Sequence, residues 1–94
     1  MKQWTKAANG RKCEVWAHVC KGGEVVTIER AAIRGGFGSM WAGVILRKLN
    51  GAGEVEVFEC GRVYSTDKAA RAAVSFREGV HMARGLAAAH KVEW

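Results

Sequence analysis

The sequence predicts an α+β protein in which an antiparallel sheet of about four strands packs against one long C-terminal helix. Two observations predict this fold class. Residues 12–60 form short alternating apolar segments separated by glycine-rich turns, which is typical of a half-buried antiparallel sheet. Residues 65–89 instead carry apolar side chains at alternating steps of four and three, so these side chains share one helical face. A chain of 94 residues is long enough for one core, and we expect a single domain over residues 1–94.

Residues 1–10 are expected to be an N-terminal arm, because Trp4 is the only large apolar residue before the Asn9-Gly10 turn signal. The four strands are expected at about Lys12–Cys20, Glu24–Arg30, Met40–Leu49 and Glu54–Cys60. Glycine accepts the positive φ of tight turns, so residues 21–23 and 50–53 predict hairpin turns, and residues 35–39 predict a flexible loop.

The helix is expected to begin after Ser65, whose hydroxyl suits an N-cap, with Asp67 near the positive end of the helix. It should run to about Ala89 and leave residues 90–94 as a tail. The expected core takes the large apolar side chains from one face of each strand and of the helix: Val15, Val19, Val26, Ile28, Val44, Leu46, Val55, Val57, Phe76, Val80 and Leu86.

One helix covers only one face of such a sheet, so the alternation predicts that Trp16 or Trp41 faces solvent. An exposed aromatic side chain on a small sheet is typical of a partner surface. We therefore expect self-association through Trp16 and Trp41, with a homodimer as the simplest assembly.

The formal charge of +6 is unevenly distributed: residues 1–12 carry +4, residues 13–60 carry −1 and residues 61–94 carry +3. Steps of four and three also place three basic residues on one ridge of the helix. Contact with nucleic-acid phosphates is the alternative function that this charge allows, although a solvated helix face is the better explanation of the ridge. The residues expected to make that contact are Lys2, Lys6, Arg11, Lys12, Arg77, His81 and Arg84.

No catalytic, cofactor or metal motif is present in the sequence. The three cysteines and three histidines form no Cys-x-x-Cys or His-x-x-x-His pair, which favours buried thiols and surface imidazoles over a metal site. The glycine-rich loop lacks the G-x-x-x-x-G-K-[ST] spacing and precedes a strand, so we do not expect it to bind phosphate.

An odd cysteine count favours a reducing, cytoplasmic setting. No apolar run is long enough to span a membrane, and residues 1–8 lack the apolar segment of a secretory signal.

The order of strands, the segment Gly61-Arg62-Val63-Tyr64-Ser65-Thr66-Asp67 and an alanine-rich helix resembles small uncharacterised bacterial and phage proteins with a ββββα layout. In those proteins an aromatic residue before a Ser/Thr-x-x-x-Ala helix start closes the core; the matching residues here are Tyr64, Ser65, Ala69 and Ala70. The resemblance implies a fold and dimerisation but no activity.

The chain is also similar to DNA-binding proteins that read the major groove with a three-stranded sheet, but its sheet carries six glutamates and departs from them there. The sequence thus favours a small, non-enzymatic interaction module that self-associates, with weak, sequence-independent nucleic-acid binding as the alternative.

Overall fold

The structure, a computed structural model, describes residues 2–6, 12–33 and 39–94. Its elements are β1 (Lys2–Lys6), β2 (Lys12–Val19), β3 (Val25–Ile33), β4 (Met40–Leu49), β5 (Val55–Tyr64), α1 (Asp67–Ala73) and α2 (Phe76–Ala89). The strands form one antiparallel sheet in the order β1-β2-β3-β4-β5. The α+β class and the four expected strands are confirmed. The segment expected to be an arm contributes β1, which pairs with β2.

Both expected hairpin turns are present. Gly23 closes the β2–β3 turn with a φ of 93° and donates its N–H to Cys20 O at 3.0 Å. In the β4–β5 turn the Asn50 side chain accepts hydrogen bonds from the Ala52 and Glu54 N–H groups, at 2.9 and 3.0 Å. The predicted flexible loop lies largely outside the described residues, which resume at Ser39.

The prediction of one long C-terminal helix is wrong, because the chain forms two helices of 7 and 14 residues. Val74 adopts an extended conformation after α1 and is 6 % exposed. Ser75 then caps α2 by accepting a hydrogen bond from the Glu78 N–H at 3.1 Å. The cap of α1 is Thr66 rather than the expected Ser65, since Thr66 Oγ1 accepts from the Ala69 N–H. The break lets Val74 enter the core while both helices remain on the sheet.

The two helices pack on the same face of the sheet, which we call the covered face. One cluster on this face is formed by Cys20, Val26, Ile28, Val44, Leu46, Ala83, Ala87 and Val92, and another by Ala31, Met40, Ala42, Ala70 and Val74. The expected burial of Val26, Ile28, Val44 and Leu46 is confirmed. Phe76, Val80 and Leu86 pack partly buried against the first cluster.

Gly79 explains how closely α2 approaches the sheet. A Cβ built at Gly79 would lie 2.7 Å from Ile28 Cγ2, so only glycine fits this contact without a shift. The small side chains of α2 that face the sheet, Ala83 and Ala87, are likewise buried. This close approach fixes which sheet residues are covered.

The predicted face is wrong for two strands. Val19, Val55 and Val57, expected in the core, are 67 %, 58 % and 53 % exposed. The register places Trp16 opposite Ile28 and Phe58 opposite Leu46, so these aromatic residues lie on the covered face instead. Val15, also expected in the core, is only half-buried.

Candidate interaction surfaces

The face of the sheet opposite the helices, the uncovered face, exposes large apolar side chains. Four of the five exposed large hydrophobic residues in the described part of the chain lie along the β5 edge of the sheet, three near the start of β5 and one near its end. They are Val55, Val57 and Val63 of β5 and Leu49, which pairs with Val55; we call them the β5 surface. Val19, the fifth, lies on β2 on the same face. Exposed apolar side chains grouped on one strand are typical of a contact surface.

The strand that carries this surface is also an edge of the sheet. All ten residues of β5 pair with β4, from Leu49↔Val55 to Met40↔Tyr64, in an uninterrupted register. In the part of the chain that the structure describes, no strand pairs with the other side of β5. An edge strand presents backbone N–H and C=O groups that can pair with another chain.

The structure does not expose Trp41, which the sequence predicts on a self-association surface. Trp41 lies on the uncovered face but is 4 % exposed. Its indole lies over the cross-strand pair Gly43↔Gly61: a Cβ built at Gly61 would be 2.5 Å from Trp41 Cζ2. The ring covers the backbone of two residues that have no side chain. Trp41 therefore stabilises the β4–β5 pair and offers little surface to a partner.

Trp16 lies on the covered face and is half-buried in an aromatic cluster. Its ring packs edge-on against Phe76, with centroids 5.7 Å apart, and is stacked at 6.1 Å with Trp94. His18 is stacked on Trp94 at 4.0 Å and its Nε2 lies 2.8 Å from Trp94 O. Trp16 and Trp41 thus lie on opposite faces and cannot form one surface.

The aromatic cluster changes the interpretation of residues 90–94, which the sequence predicts to be a tail. Val92 is 6 % exposed and belongs to the first core cluster. Its N–H donates to Ala87 O at 2.8 Å, and Lys21 N–H donates to Glu93 O at 3.3 Å. Together with the stacked Trp94, these contacts hold the segment against β2 and the turn that follows it.

The basic ridge of Arg77, His81 and Arg84 is exposed along α2, as the sequence predicts. Arg84 lies with its guanidinium carbon 5.2 Å from the Trp94 ring centroid, so part of this charge already has an aromatic contact. Lys2 of β1 is the register partner of Trp16, which packs on Phe76 at the start of α2. The arrangement brings part of the basic N-terminal segment to the same end of the molecule as the ridge.

The structure does not describe the side chains of the remaining residues that are expected to contact nucleic acid. Lys6 and Lys12 are register partners at the end of the β1–β2 pair. Arg11 lies outside the described residues.

A buried ion pair that sequence reasoning missed joins the sheet to α1. Glu14 is 1 % exposed, and both its carboxylate oxygens accept from Arg30 Nη1 at 3.3 Å. Arg30 Nη2 donates to Arg71 O at 2.8 Å, near the end of α1. Because the guanidinium bonds to a carboxylate and to a backbone carbonyl, the pair fixes the helix on the sheet. Glu14 and Arg30 are register partners. The signal that could have predicted this ion pair is their position in two consecutive strands joined by a hairpin turn.

The three cysteines, all within the described residues, form no disulfide and differ in access: Cys13 and Cys20 are buried, and Cys60 is exposed. Burial raises the pKa of the Cys20 thiol, and the negative charge of Glu24 raises it further. Such a thiol is a poor nucleophile at neutral pH. Within the described residues, no group of three or more His, Cys, Asp or Glu side chains is arranged to hold a metal ion.

Comparison with protein-family models, curated proteins and solved structures gives no match to this chain. The resemblance to small bacterial and phage proteins therefore stays a prediction. In the described part of the chain, no helix is both long and apolar enough to cross a membrane.

Proposed function

We propose that this protein is a small, non-enzymatic interaction module that self-associates through the β5 surface. The observation that supports this proposal is the grouping of Leu49, Val55, Val57 and Val63, each more than half exposed, on one edge of the sheet. Burying this apolar area against a second copy would stabilise the dimer by about 25 cal/mol for each Å² that is removed from water. The cytoplasm suits the module, since Cys60 is a free, exposed thiol.

Sedimentation equilibrium from micromolar to near-millimolar concentration tests this proposal. We expect the average mass to rise from the 10.2 kDa of one chain to twice that value. Val57→Asp should weaken self-association because it places a carboxylate on the β5 surface. Val19→Asp is the matched control, since Val19 is also more than half exposed on the same face but lies on β2. A single-chain mass at every concentration would contradict the proposal.

A second candidate function is weak, sequence-independent binding of nucleic acid by the basic ridge. The exposure of Arg77, His81 and Arg84 along one side of α2 favours it, because phosphates are contacted by exposed cations. The sheet is a poor alternative site, since Glu29 and Arg47 already form an ion pair at 3.9 Å on its uncovered face.

Salt-dependent titration of a fluorescent oligonucleotide tests the second function. Arg77→Glu/Arg84→Glu should lower the affinity and flatten the slope of log K against log salt, because fewer counterions are released. Lys21→Glu/Lys68→Glu makes the same change of charge at exposed positions away from the ridge and should have a smaller effect. Absence of binding at low salt would exclude this function.

A further inference from the structure

We propose that the free edge of β5 pairs antiparallel with β5 of a second copy, about a two-fold axis that passes beside Cys60. This inference rests on the proposed self-association and states its geometry. The product would be one continuous sheet with the helices of both copies on the same side, because an axis perpendicular to the sheet keeps every residue on its own face.

The two edges of the sheet differ in a way that selects β5. The β1 edge is five residues long and carries Lys2 and Lys6, and short edge strands with lysine resist pairing. The β5 edge is ten residues long and contains neither lysine nor proline. Its register with β4 has no bulge, unlike β3, where the pairing with β4 shifts between Arg30 and Ala32. A long, regular and unprotected edge is suited to strand pairing.

The order of side chains along β5 selects the register. With Cys60 beside the axis, Val57 of each copy lies opposite Val63 of the partner subunit on the uncovered face. This pair is repeated by the two-fold axis, and valine pairs stabilise neighbouring strands. Both valines are more than half exposed in the single chain, 53 % and 57 %, and each would shield the other from water.

The neighbouring registers are less favourable. An axis beside Glu59 places the two Glu59 carboxylates opposite each other, and like charges directly opposite destabilise a strand pair. Axes beside Phe58 or Gly61 place Glu59 opposite a valine. The register centred on Cys60 instead places Glu59 opposite Gly61 and Arg62 opposite Phe58 of the partner subunit, so neither charge faces one of like sign.

A second copy is the occupant that this pattern supports, because the strand is complementary to itself. Its charged residues are Glu56, Glu59 and Arg62. In the register centred on Cys60, no two residues of like charge lie opposite each other. The strand itself carries a net charge of −1, so the overall charge of +6 is not concentrated at the contact.

A charge-swap series measured by sedimentation equilibrium tests the geometry. Val57→Lys/Val63→Lys places lysine opposite lysine twice, and we expect the dissociation constant to rise at least about tenfold. Val57→Lys/Val63→Glu places lysine opposite glutamate twice, and we expect a dissociation constant within about threefold of the original value. Ala17→Lys/Val19→Lys adds the same charge on β2 and should leave the dimer intact. Circular dichroism checks that each variant is folded.

Oxidised glutathione supplies an independent readout. Two Cys60 thiols beside the axis would be oxidised to an intermolecular disulfide while oxidised glutathione is reduced to two thiols, with the two protons passing to them. We expect a cross-linked dimer on a non-reducing gel, and no cross-link for Cys60→Ser.

The outcomes separate this inference from the proposed function. A wild-type chain that stays monomeric contradicts both. A dimer that withstands Val57→Lys/Val63→Lys contradicts edge pairing and places self-association on a surface without Val57 and Val63. Loss of the dimer in the Lys/Glu variant as well as in the Lys/Lys variant contradicts the register centred on Cys60.

Discussion

The two faces of the sheet carry similar apolar side chains, but only one face is covered by helices. Ile28 and Val44 on the covered face are 1 % and 0 % exposed, whereas Val57 and Val63 on the uncovered face are 53 % and 57 % exposed. Valine is therefore buried in the core on the covered face and exposed at the β5 edge of the uncovered face. Alternation along a strand identifies two faces, and the packing of the helices decides which one is buried.

The largest expected effect is a difference in stability between substitutions on the covered face and on the uncovered face. Ile28→Ala should lower the free energy of unfolding by about 2–5 kcal/mol, because it leaves a cavity beneath Gly79 and the first core cluster. Val57→Ala should change it by no more than about 0.5 kcal/mol when measured on the monomeric chain. Urea denaturation at low protein concentration measures both values. Equal effects at the two positions would contradict the assignment of the faces.

The contact of Trp41 with Gly61 is one point where the uncovered face is packed like a core, and Ile45 on the same face is 0 % exposed. Gly61→Ala should destabilise the fold by about 1–3 kcal/mol, since the new Cβ would meet Trp41 and the backbone of Ala42. Gly51→Ala is a matched control, because a Cβ at Gly51 has no neighbour within 4 Å. Thermal unfolding measures the difference, and a neutral Gly61→Ala would show that the indole does not lie over this pair.

The break between the helices can be tested by whether one substitution raises or lowers the free energy of unfolding. Ser75→Ala should lower the free energy of unfolding by about 1 kcal/mol, because it removes the N-cap of α2. In one continuous helix the same change would stabilise, since alanine is the better residue in a helix interior. Ser65→Ala is the control and should change stability by at most about 0.5 kcal/mol, because Thr66 is the cap. Stabilisation by Ser75→Ala would contradict the two-helix cover of the sheet.

The smallest expected effect concerns the thiol beneath the helices. Since the folded chain raises the pKa of Cys20, the unfolded chain loses this proton first as the pH rises above about 8.5. The raised pKa of Cys20 contributes fully to the free energy of unfolding below that pH. The contribution is lost as the pH rises toward the pKa that Cys20 has in the folded chain. Urea denaturation from neutral to alkaline pH should show a shallower decline for Cys20→Ala than for the wild type. Val57→Ala, at an exposed position without a titratable side chain, serves as the control and should retain the wild-type decline.

The strands and turns were predictable because their signals are local. Glycine pairs mark both described hairpin turns, and Met40–Leu49 has the bounds that its alternation predicts. The faces of β2 and β5 were not predictable, because both faces of these strands carry apolar residues. The alanines of α2 bring the helix close to β3 and β4, and aromatic side chains such as Trp16 and Phe58 pack against that cluster. An aromatic side chain buries more area than valine, so it took the covered face.

The break in the helical segment left a signal that the apolar stripe concealed. Ser75 and Glu78 have the spacing of a capping box, and Thr66 precedes Asp67 in the same manner as Ser75 precedes Phe76. The apolar stripe continues across the break, because Val74 is buried between two helices that face the same sheet. The β5 surface was concealed for the related reason that the alternation of β5 predicts Val55 and Val57 in the core.

The contacts around Trp16 have a consequence for fusion and tethering. Lys2 is the register partner of Trp16, and the ring of Trp94 is stacked 6.1 Å from that of Trp16, so residues 2 and 94 lie at one corner of the sheet. Any polypeptide joined at these two positions would enter and leave the fold side by side. The β5 edge lies at the opposite end of the five-stranded sheet. A flexible loop of a host protein could therefore carry this fold as an insertion, with the β5 edge turned away from the host.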